Sequence, residues 1–207
     1  SSPESWTAAI ANAQAHPRPR EELSAMLAAQ LEGRNAPAKA REAAARLADP
    51  LAIAVVTGQQ AGLFGGPLYT LNKGLRAIRL AARVSQEHQI PAVAVFWVEA
   101  EDHDWEEVAS CAVLDADYQR HVITLPPPPH AGRAPIGFVT LGDEITTTID
   151  QLASTLPQTA FTTAILEDLR SAYRPGVTMS GAFARWMDRL LGDLGLVVFD
   201  CSDGAAK

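Results

Sequence analysis

Two uninterrupted apolar runs constrain the fold of this chain more than any other feature. Residues 51–56 and 92–98 show no alternation of polar and apolar side chains, which is typical of strands buried on both faces of a parallel sheet. Between the runs lie a glycine-rich segment, 58–67, and a stretch with leucines at helical spacing that should end near His88, before Pro91. The order strand, loop, helix, strand predicts a βαβ unit with parallel strands and a right-handed crossover.

The rest of the chain is predicted to build an α/β fold around this unit. Residues 1–50 should form a helical lead-in, and residues 51–207 the core, with a small inserted β segment at about 105–150. The last stretch is mostly helical and ends in a third buried run, 195–200. The other expected elements are helices near 4–15, 20–33, 37–48, 143–155, 159–172 and 179–193, hairpin strands at 112–114 and 122–125, and a strand at 136–141.

The third buried run lies close to the last residue, Lys207. A strand of a parallel sheet needs a crossover segment to cover it, and no such segment follows this run. We therefore expect a sheet that is incomplete at its C-terminal end. Either the chain is a fragment of a longer protein, or a partner chain covers that edge.

Composition argues against several classes of protein. The 207 residues are 47% hydrophobic, enough for a sizeable core, and a net charge of −7 without a basic stripe argues against nucleic-acid binding. No apolar run approaches the roughly 20 residues of a membrane span, and the N-terminus lacks the pattern of a signal peptide. Cys111 and Cys201 form no CxxC pair, so we expect buried packing residues in a cytoplasmic protein.

Polar segments follow the first two buried runs, at the place where parallel sheets bind ligands, beyond the carboxyl ends of their strands. The glycine-rich segment follows the first run, and the sequence EDHD at 101–104 follows the second. The βαβ topology should bring both segments to one edge of the sheet. Trp97, inside the second run, is expected in the core.

Two interpretations of the glycine-rich segment stay open. Its backbone N–H groups could cradle a phosphate or carboxylate at a helix N-terminus, or its glycines could serve only a tight connection. The segment has neither the ending of a Walker A loop nor the spacing of a GxGxxG motif. Gln59 and Gln60 add amide groups. Tyr69 and Lys73 share one helical face nearby, where the lysine could reach an anion or remain solvated.

Segment 101–104 has three interpretations. Its histidine and carboxylates could act as general acids and bases, or they could bind a divalent metal. They could also cap the next helix, with Asp102 or Asp104 at its N-terminus and Glu106 and Glu107 in its first turn.

Three segments resemble motifs of the BshC family, the cysteine-adding enzymes of bacillithiol biosynthesis. They occur in the order and spacing of the family and cover most of the chain from about residue 50. The segments are VVTGQQAGLF at 55–64 with GPLYT at 66–70, VFWV at 95–98 running into EDHD at 101–104, and GLV at 195–197 continuing through Asp200, Ser202 and Asp203 to Lys207.

The resemblance implies a Rossmann-like core, similar to nucleotidyltransferases and class I aminoacyl-tRNA synthetases, with connecting-peptide insertions and a C-terminal coiled coil that forms a homodimer. It also implies the last step of bacillithiol synthesis, ligation of cysteine to glucosaminyl-malate, with ATP as the expected co-substrate and no assigned metal. Ten residues match the family motifs. The resemblance implies substrate or nucleotide binding for Gly58, Gln59, Gln60, Gly62, Tyr69 and Lys73, and a catalytic role for Glu101, Asp102, His103 and Asp104.

From the resemblance we expect the amine of glucosaminyl-malate to attack an activated cysteine carboxyl group. The catalytic residues would come from segment 101–104, with His103 and either Asp102 or Asp104 orienting or deprotonating the amine. The glycine-rich segment would hold the malyl carboxylates or a phosphate. Two other functions stay open: another ATP-using, nucleotidyltransferase-like enzyme, or an inactive binding fragment that needs its missing C-terminal half.

The chain also departs from the family pattern. Gly65 stands where threonine is common, and Gly204 stands where proline is usual. The chain has less than half the usual length of the family and lacks the second half of the core and the coiled coil. The expected activity and dimerisation therefore apply to the longer protein.

Overall fold

The computed structural model describes residues 3–129 and 131–206. Its helices are α1 (Pro3–Ala15), α2 (Arg20–Gly33), α3 (Ala38–Ala45), α4 (Tyr69–His88), α5 (Trp105–Val108), α6 (Glu144–Thr155), α7 (Thr162–Ala172) and α8 (Met179–Leu191). Its strands are β1 (Ile53–Gln60), β2 (Ala92–Glu99), β3 (Ser110–Leu114), β4 (Arg120–Thr124) and β5 (Val197–Asp200). No helix in the described ranges is long and apolar enough to cross a membrane.

Strands β1, β2 and β5 form one parallel sheet in that order. Ile53 lies opposite Ala92 and Gln60 lies opposite Glu99, while β5 pairs with the second half of β2. The predicted βαβ unit and the third buried strand are confirmed. Strands β3 and β4 form a separate antiparallel pair, which confirms the predicted hairpin.

Helices cover both faces of this sheet. On one face, α4 and α8 pack against apolar side chains that include Phe96 and Val198. On the other face, α2 and α3 pack against Val95 and Val197. Helices α2 and α3, both predicted within the first 50 residues, therefore form one of the two layers on the sheet, and the fold is α/β as expected. The proposed division into lead-in and core at about residue 50 stays a prediction.

Local side-chain chemistry sets several helix ends. The Thr178 hydroxyl accepts a hydrogen bond from the Gly181 N–H at 3.2 Å and caps the start of α8. Helix α4 ends where Gln89 adopts a left-handed conformation with φ of 54°, just before Pro91. This stop agrees with the end predicted near His88.

The outer edge of β5 is occupied by side chains of α2 instead of another strand. The Gln30 side-chain amide donates to the Asp200 carbonyl at 3.0 Å and accepts from the Asp200 N–H at 3.0 Å. Arg34 donates from Nη2 to the Val198 carbonyl at 2.7 Å. These bonds satisfy backbone groups that an edge strand would otherwise leave unpaired.

The strand predicted at 136–141 is wrong. Ile136–Phe138 forms a 3-10 turn, and Thr140 makes an isolated antiparallel bridge to Thr178. The backbone here bonds to the segment that leads into α8, with the Leu141 N–H donating to the Val177 carbonyl at 2.9 Å. The apolar pattern of this segment reflects burial under α8 and not a place in a sheet.

Two other expectations need correction. Trp97 is 42% exposed and not in the core, because α2 and α3 cover only part of its face of the sheet. Strand β1 continues through Gln60, so Gly58 and Gln59 belong to a strand and not to a loop. Lys207, the last residue of the third family-like segment, lies outside the described residues.

Candidate functional site

The carboxyl ends of β1 and β2 meet at one edge of the sheet, as the topology predicted. Gln59 lies opposite Val98 and Gln60 lies opposite Glu99 in the parallel register. Because side chains alternate along a strand, the two glutamines point to opposite faces of the sheet. They anchor two separate hydrogen-bonded networks.

The first network joins Gln59 to the start of α4. The Gln59 amide nitrogen donates to the Tyr69 hydroxyl at 3.1 Å. Lys73 donates from Nζ to the Gln59 side-chain oxygen at 2.8 Å and to the Gly58 carbonyl at 3.1 Å. The ammonium group also lies 5.2 Å from the centre of the Tyr69 ring, within cation–π range. Lys73 thus turns back onto the strand end and has protein partners for two of its three protons.

The second network joins Gln60 to the segment after β2. The Gln60 amide nitrogen donates to Asp102 Oδ2 at 3.1 Å and to Glu107 Oε2 at 2.9 Å. Asp102 Oδ1 accepts from the backbone N–H of His103 at 2.6 Å. One glutamine therefore fixes two carboxylates beside the end of β1. The sequence predicts Glu107 only as a first-turn residue of the next helix, and no local pattern indicates its contact with Gln60.

An open cavity of about 500 Å³ runs along the sheet at these strand ends. Val56 and Trp97 line its apolar part, and Gln60 and Glu99 line its polar end. Glu99 is the last residue of β2 and lies opposite Gln60 in the register. The cavity has room for a small polar molecule with one apolar side.

The carboxylates give this edge of the sheet an acidic character. Asp102 and Glu107 accept hydrogen bonds from Gln60, and Glu99 lies opposite Gln60 in the register, while Lys73 is bonded on the other side of β1. Carboxylates at this edge favour a positively charged or proton-donating ligand group over an anion. Within the described ranges, no group of three or more histidine, cysteine or acidic side chains has a geometry that could hold a metal ion.

His103 and Asp104 face a different cavity. They line an open space of about 490 Å³ with residues of the hairpin, among them Ser110 and Thr124. Asp104 Oδ1 accepts from the Glu107 N–H at 3.2 Å and caps α5, so the capping interpretation holds for Asp104. Among the described residues, the His103 ring has no hydrogen-bond partner. The structure therefore brings Asp102 to the strand ends but leaves His103 and Asp104 on the neighbouring surface.

The glycine-rich loop is closed on itself. The N–H groups of Gly62, Gly65 and Gly66 donate to carbonyl oxygens within the segment, at 2.8, 3.1 and 3.0 Å. Gly65 and Gly66 have positive φ values of 98° and 69°, which glycine adopts without strain. These amides are not available to cradle an anion, which favours the interpretation of the loop as a tight connection.

Tyr173 organises this loop from beneath. Its hydroxyl donates to the Gly62 carbonyl at 3.1 Å and accepts from the Gly65 N–H at 3.2 Å. Its ring contacts Phe64 edge to face at 5.3 Å. Burial raises the pKa of the Tyr173 hydroxyl, so the group stays protonated and can donate. This partner lies more than a hundred residues away in the chain, and no local pattern pointed to it.

Neither cysteine shows the features of a nucleophile. Burial raises the pKa of the Cys111 thiol to about 11, and it also raises the pKa of Cys201. Both cysteines are free. A thiol with a raised pKa carries little thiolate, so the structure agrees with packing roles.

Comparison with known proteins gives a consistent result. Residues 1–207 match the family described as bacillithiol biosynthesis BshC, N-terminal Rossmann-like domain. A protein of Salinibacter ruber named as a cysteine ligase, BshC, is 40% identical over 202 residues, which are 97% of this chain and 36% of that protein. A protein of the same name from Heliobacterium modesticaldum is 38% identical over 88% of this chain and 34% of its own length. Another from Chlorobaculum tepidum is 38% identical over 91% of this chain and 33% of its own length. The chain thus spans about a third of the length of these curated relatives.

Proposed function

This chain belongs to the BshC family, matching its N-terminal Rossmann-like domain, and from that premise we propose that it supplies part of the active site of a cysteine ligase. The proposed reaction is the ligation of cysteine to glucosaminyl-malate in the last step of bacillithiol biosynthesis. The names of the relatives support a ligase, and the acidic edge of the sheet supports a substrate with an amine.

The observation that carries the proposal is the bridge from Gln60 to Asp102 and Glu107. Its two bonds, 3.1 and 2.9 Å long, hold both carboxylates against Gln60, which itself lines the cavity at the strand ends. A fixed carboxylate can bind a protonated amine and then accept its proton. We therefore assign Asp102 as the group that orients the glucosaminyl amine, with Gln60 as a positioning residue.

The proposed chemistry is acyl transfer to nitrogen. The amine lone pair attacks the carbonyl carbon of an activated cysteine, the C–N bond forms, and the bond from that carbon to the leaving oxygen breaks. The proton lost by the nitrogen passes to Asp102 or to a neighbouring base. His103 remains a candidate for that base, since its exposed ring can approach a substrate that extends from the strand ends over Asp102.

A carboxyl group acylates an amine only after activation, and ATP is the proposed source. The glycine-rich loop does not fit a phosphate site, because the N–H groups of Gly62, Gly65 and Gly66 donate inside the protein. Lys73 is also engaged, with Gly58 and Gln59. We therefore propose that residues of the longer protein beyond this chain hold the nucleotide. Homodimerisation through a coiled coil and a cytoplasmic location stay predictions.

The test uses the full-length protein with glucosaminyl-malate, cysteine and ATP, and measures the amide product by mass spectrometry. Asp102→Asn and Gln60→Ala should each lower kcat at least about tenfold, given the usual size of a general-base contribution. His88→Ala, at the far end of α4, is the matched control for His103→Ala and should leave turnover unchanged.

Three results would count against the proposal. Turnover by Asp102→Asn at the unchanged rate would remove that carboxylate from the mechanism. Release of pyrophosphate with nucleotide transfer and no amide would identify a nucleotidyltransferase-like enzyme instead. Substrate binding without turnover by the folded full-length protein would favour a binding role.

A further inference from the structure

A third cavity, of about 380 Å³, lies beside the outer edge of β5, where its lining residue Arg34 bonds to the Val198 carbonyl. It is formed by the end of α2, the end of α7 and the outer side of α8. We call it the arginine cavity, because four of its lining residues are Arg34, Arg174, Arg185 and Arg189. Such a concentration of guanidinium groups is unexpected in a chain whose net charge is −7.

Two of the four arginines are neutralised by carboxylates. Arg34 donates from Nε to Asp188 Oδ2 at 2.7 Å, and the two side chains are only 8% and 4% exposed. Arg189 donates from Nε to Asp168 Oδ1 at 2.8 Å. The buried pair forms a rigid wall, since Arg34 is also fixed to the Val198 carbonyl.

The other two arginines are left without carboxylate partners among the described residues. Arg185 donates from Nη1 to the Gly181 carbonyl of its own helix at 3.3 Å, and Arg174 lies exposed at the rim. Burial lowers the pKa of Arg185, the positive charges of Arg174 and Arg34 lower it further, and the negative charge of Asp188, which also lines the cavity, opposes them. Like charges held this close repel each other, and an anion between them would relieve the repulsion.

We propose that the arginine cavity binds a small oxyanion with at least two negative charges, through Arg174 and Arg185. Guanidinium groups bind paired oxygen atoms in a planar, bidentate arrangement, which suits both phosphate and carboxylate groups. Ser171 and Asn35, which also line the cavity, add polar groups at its rim. The ligand is thus a phosphorylated or polycarboxylated small molecule. This site is separate from the proposed ligase site and does not depend on it.

The experiment is a calorimetric titration of the chain with inorganic phosphate and, separately, with succinate, at constant ionic strength. Saturable binding should weaken about tenfold or more in Arg174→Gln/Arg185→Gln, because the variant loses charge-assisted hydrogen bonds to the anion. Arg83→Gln is the matched control: it removes one positive charge from an exposed site on α4 and should change the dissociation constant less than twofold.

The two probes distinguish the sources of the anion. Tighter binding of phosphate supports a phosphorylated ligand, and tighter binding of succinate supports a polycarboxylate. Arg174→Gln alone, at an exposed position, keeps the test valid if the double variant fails to fold. The proposal is overturned if neither probe binds saturably, or if Arg83→Gln weakens binding as much as Arg174→Gln does.

Discussion

Replacing Arg34 with methionine should destabilise the chain by about 3–5 kcal/mol, the usual cost of leaving one partner of a buried ion pair unpaired. The substitution keeps an apolar stem of similar length but removes the guanidinium that lies 2.7 Å from Asp188. It also removes the donor to the Val198 carbonyl, which accounts for about 1 kcal/mol of the total.

The destabilisation should depend on pH, because the buried carboxylate can take up a proton. Burial already raises the pKa of Asp188 to about 6 from 3.8, against the opposing effect of Arg34. A carboxyl whose pKa is higher in the folded state binds more protons there, so its contribution to stability falls as the pH rises from about 4 to 6. Without Arg34 the pKa of Asp188 rises further, and the loss of stability continues to higher pH.

The assay is urea unfolding followed by circular dichroism at pH 5 and pH 8. Arg34→Met should cost more at pH 8 than at pH 5, and adding Asp188→Leu should recover most of the loss. Arg170→Met is the matched control, because the Arg170–Asp150 pair is 2.8 Å long but 45% and 63% exposed, and its loss should cost less than about 1 kcal/mol. Equal costs for both variants, or a cost for Arg34→Met that does not change with pH, would refute the reasoning.

Three further predictions concern Gly58 near the end of β1, Tyr173 beneath the glycine-rich loop, and the buried thiol of Cys111. Gly58→Ala should lower the free energy of unfolding by about 1–3 kcal/mol, measured by thermal unfolding, because its Cβ would lie 2.7 Å from the Trp97 carbonyl oxygen. Gly33→Ala is the control, since its Cβ would meet nothing within 4 Å, and it should change stability by less than about 1 kcal/mol. Tyr173→Phe should cost about 1–3 kcal/mol and speed proteolysis of the glycine-rich loop, since two backbone groups lose a buried partner; unchanged stability and cleavage would contradict that role. Cys111, with a pKa of about 11 in place of 9.0, should carry roughly 100-fold less thiolate at pH 8 than an ordinary thiol. Its alkylation rate should therefore still rise above pH 10. A plateau of that rate near pH 9 would contradict the effect of burial.

The sheet was predictable from sequence because its signals are local. Each strand is indicated by a continuous apolar run, and the helix between the first two strands is indicated by its helical period and by the proline that follows it. Each of these signals lies within the element or next to it in the sequence. The same kind of apolar pattern predicted a strand at 136–141, and that strand is not formed. Its apolar residues are buried, but its backbone bonds to the segment before α8, and an apolar pattern reports burial without reporting a bonding partner.

The candidate site was only half predictable. Parallel topology correctly brought Gln60 and Asp102 to one edge, because strand order alone fixes where carboxyl ends lie. The individual hydrogen bonds could not be predicted. The Asp104 side chain caps α5, and the backbone N–H groups of the glycine-rich loop donate to carbonyl oxygens of the same loop. These outcomes depend on contacts such as that of Tyr173, which comes from a distant part of the chain.

The bonds from α2 to β5 also set the order in which this chain can fold. Gln30 and Asp200 are 170 residues apart, and Arg34 and Val198 are 164 apart. During synthesis, α2 is made well before β5. Its polar groups and its apolar face can contact β5 only after nearly the whole chain has been made. Contacts of such sequence separation close late and slow folding, because the loop entropy is lost before the contacts form. The last few residues of this chain thus complete a layer that its first residues begin.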